Sequence, residues 1–115
     1  MNIQIYALKR DFDVQKAERF FKERRIPYQF VDLSKKGMGR RELDAVRRSV
    51  GLKNMIKLSD KDWQSHYVAQ LTNEQAALDE LARCPALLKL PVVRNGQSAT
   101  VGFMPDVWQS WVDKG

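Results

Sequence analysis

The chain has 115 residues, 43% hydrophobic and 30% charged, with a formal net charge of +6, which is the profile of one compact domain and leaves no material for a second independent core. No apolar run reaches the length of a bilayer span, and Met1-Asn2-Ile3-Gln4-Ile5 shows neither the basic nor the apolar region of a secretion signal, so a cytoplasmic location and no membrane partner are expected. One cysteine, Cys84, and one histidine, His66, exclude an internal disulfide, a Cys-x-x-Cys redox pair and a cysteine-rich zinc site, and no metal is expected.

Ile3, Ile5 and Ala7 alternate with Asn2, Gln4 and Tyr6, the period of a strand with one face more apolar than the other. The period then changes. Val14, Ala17, Phe20 and Phe21 recur at helical spacing, Asp13 is placed to cap this helix, and Pro27 ends it. Tyr28 to Leu33 reads as a second strand, so a right-handed parallel βαβ unit is expected. A glycine-bearing turn over 34–39 leads into "RRELDAVRRSVG", where Leu43, Val46 and Val50 define an apolar stripe, Arg40, Arg41, Arg47 and Arg48 an outer face, and Gly51 a left-handed cap.

Residues 52–71 hold no long pattern and suggest short helical turns at Leu52 to Ile56 and Asp62 to Tyr67. In "TNEQAALDELARCP", Thr72 and Gln75 have capping-box spacing, and Ala77, Leu78 and Leu81 give the buried side until Pro85. Val92 to Arg94 and Ala99 to Val101 form a hairpin around Asn95-Gly96, and a last helix opens at Pro105 with Val107, Trp108, Trp111 and Val112 inward. No repeat or linker interrupts the chain, so it is read as a single domain over 1–115.

A βαβ unit, helices and then a ββα unit describe an α/β, thioredoxin-like fold: a four-stranded mixed sheet with a helical insertion at about 34–84. "IYALKRDFDVQKAERFFKERRIPYQFVDL", "RRELDAVRRSVG" and "LPVVRNGQSATVGF", in that order and spacing, resemble the glutaredoxin-coupled arsenate reductase family, ArsC, which includes the Spx-type regulators of RNA polymerase. The resemblance covers nearly the whole chain. It implies a nucleophilic cysteine in the first strand-to-helix turn, and alignment on Lys16-Ala17 puts Asp11 at that position and Val14 at the second family position. The family arginine before the proline corresponding to Pro91 is here Leu90, and another in the insertion falls on Gln64. The resemblance further implies a cis bond before Pro91.

Reduction of arsenate needs a thiolate, stabilised by a helix N-terminus and nearby cations, and arginines to hold the oxyanion. An aspartate forms no disulfide and opposes the anion by charge. Asp11 is therefore expected to fill the anion pocket itself, held by helix N–H groups. Asp11 and Asp13 could also be paired acid/base carboxylates, though capping is the simpler role, and Cys84 reads as a core residue rather than a nucleophile. His66 lacks partners for a site, and an exposed Trp63 would point to a partner surface.

Residues 1–61 carry 16 basic and 8 acidic side chains, residues 62–115 only 4 and 6. This excess is either two solvated helix faces or a surface for an acidic partner; direct nucleic-acid binding is the less favoured use. Two function classes stand: a binding or regulatory module without reductase activity, meeting RNA polymerase or another protein through its basic N-terminal half as Spx-type relatives do, and a thiol-linked arsenate-type oxidoreductase that uses glutathione or glutaredoxin. For the second, Lys9, Arg10, Asp11, Leu90 and Pro91 are the ligand-binding candidates. No resident cofactor is expected apart from a possible use of glutathione.

Overall fold

A computed structural model describes residues 1–57 and 74–114. The elements are β1 (Ile3–Ala7), α1 (Phe12–Glu23), β2 (Tyr28–Asp32), α2 (Arg40–Val50), α3 (Leu52–Met55), α4 (Glu74–Arg83), a 3-10 turn (Pro85–Leu87), β3 (Val92–Asn95), β4 (Ser98–Val101) and α5 (Pro105–Lys114). The sheet order is β2-β1-β3-β4, with β1 parallel to β2 and antiparallel to β3, and β3 antiparallel to β4. This is the four-stranded mixed sheet that the order of elements implies.

The period of two in β1 sorts its side chains between two covered faces rather than between core and water. Ile3, Ile5 and Ala7 pack with Val93 against Val14, Ala17, Phe20 and Phe21 of α1 and Trp108 and Trp111 of α5. Tyr6 faces the other way with Val92, Ala99 and Val101, against Leu43 and Val46 of α2, Met55, and Leu78 and Leu81 of α4. β1 is central, so its polar-looking face is buried too. The edge of β4 is closed by α2: the Ala99 N–H donates to Ser49 Oγ at 3.0 Å, and that hydroxyl donates to the Gln97 carbonyl at 3.4 Å.

Several local expectations shift. The helix begins one residue before Asp13, at Phe12, and Asp11 is its N-cap, leaving Asp13 in the first turn at 3.8 Å from Lys16. In the hairpin Asn95 pairs with Ser98, so the two-residue loop is Gly96-Gln97; only Gly96 has a positive φ, +62°, as a type II′ turn requires. Gly51 does cap α2 with φ +86°, but its ψ of 151° lies far from the left-handed helical region. The turn at 52–56 is the short α3. The turn expected at 62–67, the Thr72 cap, Trp63, Gln64 and His66 fall outside the described residues.

Helix α1 ends before Pro27 acts. The Ile26 N–H donates to the Phe21 carbonyl at 2.9 Å and the Arg25 N–H to Lys22 at 3.0 Å, a Schellman closure with Arg25 at φ +57°. A side chain at that φ costs about 1–2 kcal/mol that glycine avoids. Arg25→Gly is therefore expected to raise stability by about 0.5–1 kcal/mol, read as a higher midpoint in chemical denaturation.

The α2 side of the sheet carries one polar cluster. Arg94 donates from Nη1 to Gln4 Oε1 (3.2 Å) and to the Tyr6 hydroxyl (3.0 Å), and from Nη2 to the Gly96 carbonyl (2.9 Å), while Tyr6 donates to Gln4 Oε1 at 2.8 Å. Burial, then the Glu42 carboxylate, push the Tyr6 phenol up to about 12, against a smaller opposing effect of Arg94. The folded state thus holds the Tyr6 proton more tightly than the unfolded chain, whose phenol titrates near 10. The associated stability, about 2–3 kcal/mol, is fully present below pH 10 and is lost as pH rises through 12. Denaturation midpoints should accordingly fall between pH 10 and 12, and by less in Tyr6→Phe.

Candidate functional site

The first turn of α1 is made by residues that hold its free N–H groups. Asp11 has extended backbone, φ −77° and ψ −172°, and its Oδ1 accepts the Val14 N–H at 3.0 Å. Its own N–H donates to the Lys9 carbonyl, and its carbonyl takes the Gln15 N–H, both at 3.0 Å. Side chain and main chain together fix the turn.

This turn forms one wall of a cleft of about 470 Å³. The opposite wall is built by an isolated bridge between Ile56 and Leu88: the Lys57 N–H donates to the Leu87 carbonyl at 2.8 Å and the Lys89 N–H to Met55 at 2.7 Å. The bridge brings Lys57 and Lys89 to the cleft that Lys9 enters from the β1 side. Lys9, Lys57 and Lys89 thus line the same cleft as Asp11 and Asp13, with Leu8, Leu90 and Phe103 supplying apolar surface. Such a site favours a small anion by charge, but Asp11 already accepts the helix N–H that a ligand oxyanion would seek.

Of the residues singled out in the sequence, Lys9, Asp11, Asp13 and Leu90 come together on the cleft. Pro91 is buried behind it, and the Leu90–Pro91 bond is cis. Val14 is fully buried in the core between α1 and the sheet. Arg10 is not in the cleft wall: its Nε donates to Glu18 Oε1 at 3.1 Å and its guanidinium lies 4.0 Å over the Phe30 ring, so pairing with a nearly buried carboxylate draws it to the β2 side. Glu18 also accepts the Tyr28 hydroxyl at 2.7 Å, and burial with that carboxylate pushes the Tyr28 phenol up to about 12. Gln64 lies outside the described residues.

Lys57, Lys89 and Phe103 are the cleft residues that pattern reading passes over. Lys89 had a signal, standing two residues before Pro91. Cys84 stands apart from the cleft, at the end of α4, where its thiol lies 3.5 Å from Glu80 Oε1. Burial and that carboxylate push the Cys84 thiol up, the reverse of what a nucleophilic thiolate needs.

Sheet order, the cis proline and a cleft at the start of the first helix define a thioredoxin-like α/β protein. The ArsC family pattern matches residues 13–111, and the chain belongs to that family. Solved structures agree in fold. An arsenate reductase from Vibrio cholerae is 17% identical with a TM-score of 0.76, over 96% of this chain and 97% of its own. An ArsC-family-related protein from Bacteroides fragilis reaches 24% identity and a TM-score of 0.76 over the same shares. An arsenate reductase related protein from Brucella melitensis is 22% identical with a TM-score of 0.64, over 97% of this chain and 95% of its own. No curated protein matches the chain significantly by sequence.

Proposed function

We propose that this protein is an ArsC-family member without arsenate reductase activity of its own, acting in the cytoplasm as a protein-binding or regulatory module in the manner of the Spx-type branch. The observation that carries the reading is Asp11, which caps the helix through the Val14 N–H at the position where the resemblance places the family's thiol. It cannot form a disulfide, and it occupies the Val14 N–H that a tetrahedral oxyanion would use. Leu90, where the resemblance places a family arginine, lines the same cleft with an aliphatic side chain. The partner class is an acidic protein surface, with RNA polymerase one candidate, met through the basic N-terminal half.

That half is not uniformly available. On α2, Arg47 and Arg48 reach Asp44 at 2.8 and 2.9 Å, and Arg40 reaches Asp79 of α4 at 2.8 Å. The Arg47 hydrogen bond and Arg48 hold the Asp44 carboxyl below its usual range. The cations of α1 and the cleft are the better candidates for a partner.

A second reading has one observation in its favour. Lys9, Lys57 and Lys89 around a cleft of about 470 Å³ suit the two carboxylates of glutathione, which would supply the missing thiol from outside. Isothermal titration with arsenate, phosphate, sulfate and glutathione separates the two. The expected result is no measurable binding of the inorganic oxyanions to the native protein and a gain of sulfate binding in Asp11→Ala. Tight oxyanion binding by the native protein would overturn the reading.

A further inference from the structure

Three large hydrophobic residues are exposed among the described ones, Met1, Phe12 and Phe103, and the last two share a patch. Phe12, in the first turn of α1, is 71% exposed, and Phe103, just after β4, is 43% exposed. Lys16 lies between them, its Nζ 4.5 Å from the Phe12 ring centre and 5.0 Å from that of Phe103. Leaving a phenylalanine this exposed forgoes about 1.5–3 kcal/mol of burial, which a bound partner could recover. The patch opens into a cavity of about 450 Å³ that also carries Arg19, Phe20 and Arg24, with Glu23 as its acidic member. Phe103 is a wall common to this cavity and to the lysine-lined cleft of about 470 Å³.

We propose that the Phe12, Lys16 and Phe103 patch, together with the neighbouring cleft, is a docking groove for an extended acidic peptide segment of a partner protein that inserts an aromatic or aliphatic side chain. The proposal deepens the binding-module reading above and rests on it. Two cavities on either side of one ring suit successive side chains of an extended chain, and the cations, Lys9, Lys57 and Lys89 on the cleft side and Lys16, Arg19 and Arg24 on the other, suit carboxylates flanking the anchors. A nucleic-acid strand fits less well, because it carries a phosphate at every step, including those that would face Asp11, Asp13 and Glu23, whereas a peptide can set its carboxylates opposite the cations and its N–H groups or apolar side chains opposite these acids. A second copy of this chain is opposed by its own net charge of +6.

The test is fluorescence polarisation with a short labelled peptide of aspartate, glutamate and glycine carrying two phenylalanines, run beside a version with lysine for each acid and a labelled oligothymidylate. The native protein should bind the acidic peptide alone, Phe12→Ser and Lys16→Glu should each weaken it about tenfold, and Arg41→Glu on exposed α2 should change it less than about twofold. Phe103→Ser should behave like Phe12→Ser; if loss of its edge contact with Trp108, 5.5 Å between ring centres, lowers its melting temperature, Phe12→Ser carries the test. No binding of the acidic peptide, equal binding by Phe12→Ser, binding of the oligothymidylate with the same residue dependence, or a dimer in sedimentation that Phe12→Ser dissolves would each overturn the groove. Failure of the peptide leaves the non-catalytic reading standing, whereas arsenate turnover by the native protein removes that reading whatever the peptide does.

Discussion

Trp108→Ala is expected to lower the thermal midpoint by roughly 15–25 °C, the largest stability effect of a single substitution among the residues described above. Trp108 is fully buried at the joint of α1, α5 and the sheet. Its ring lies 5.4 Å from Phe20, 5.5 Å from Phe21 and 5.5 Å from Phe103, centre to centre, so one side chain ties α1 to α5 and the turn before it, near the other end of the chain. Truncation removes an aromatic volume that rigid neighbours cannot refill, at about 3–5 kcal/mol. It also leaves Thr100, 1% exposed, without the indole N–H that donates to its hydroxyl at 2.7 Å. Trp108→Phe keeps most of the packing and loses the donor, so about 1–2 kcal/mol is expected. Differential scanning calorimetry distinguishes the two, and an alanine variant melting within about 5 °C of the native protein would show that the aromatic cluster is not the keystone of this layer.

The largest chemical effect is expected from Asp11→Cys. The new thiol would stand at the N-terminus of α1 with Lys9, Lys57 and Lys89 on the same cleft, an environment that stabilises a thiolate by helix dipole and charge. Cys84 has the opposite surroundings, burial and the Glu80 carboxylate, which push its thiol up. At neutral pH, iodoacetamide should therefore alkylate residue 11 of the variant at least about tenfold faster than Cys84, as read by mass spectrometry of the digested protein. Loss of the aspartate cap costs about 1 kcal/mol, small enough for the variant to stay folded. Comparable rates at the two cysteines would show that the cleft no longer has the electrostatics of a thiol site.

The parts of this fold that pattern reading recovers are those where local chemistry and tertiary placement agree. β1, α1, α2 and α5 are visible because Ile3, Val14, Leu43 and Trp108 each begin a periodic buried stripe. Errors arise where two residues compete for one role. Asp11 and Asp13 are both competent caps, and only the backbone extension at Asp11 selects it. Asn95-Gly96 reads as a turn pair, but the antiparallel register with β4 keeps Asn95 in the strand.

The cleft is harder to see for a different reason. Its opposite wall depends on the bridge between Ile56 and Leu88, which are far apart in the chain and lie in no periodic element, so nothing local marks Lys57 as a neighbour of Asp11. Arg10 shows the converse. Adjacent to Asp11 in sequence, it is drawn off by Glu18 and Phe30. Phe12 reads in the sequence as part of the charged turn ahead of the helix, whereas the structure places it in the first turn of α1, 71% exposed, with Lys16 lying between it and Phe103.

The central claim, that Asp11 has replaced reductase chemistry with a helix cap, is tested most directly by coupled turnover: native protein with arsenate, glutathione, glutaredoxin and glutathione reductase, followed by NADPH oxidation. The expected rate equals that of the mixture without the protein. Arsenate-dependent oxidation that scales with the concentration of the native protein would contradict the claim.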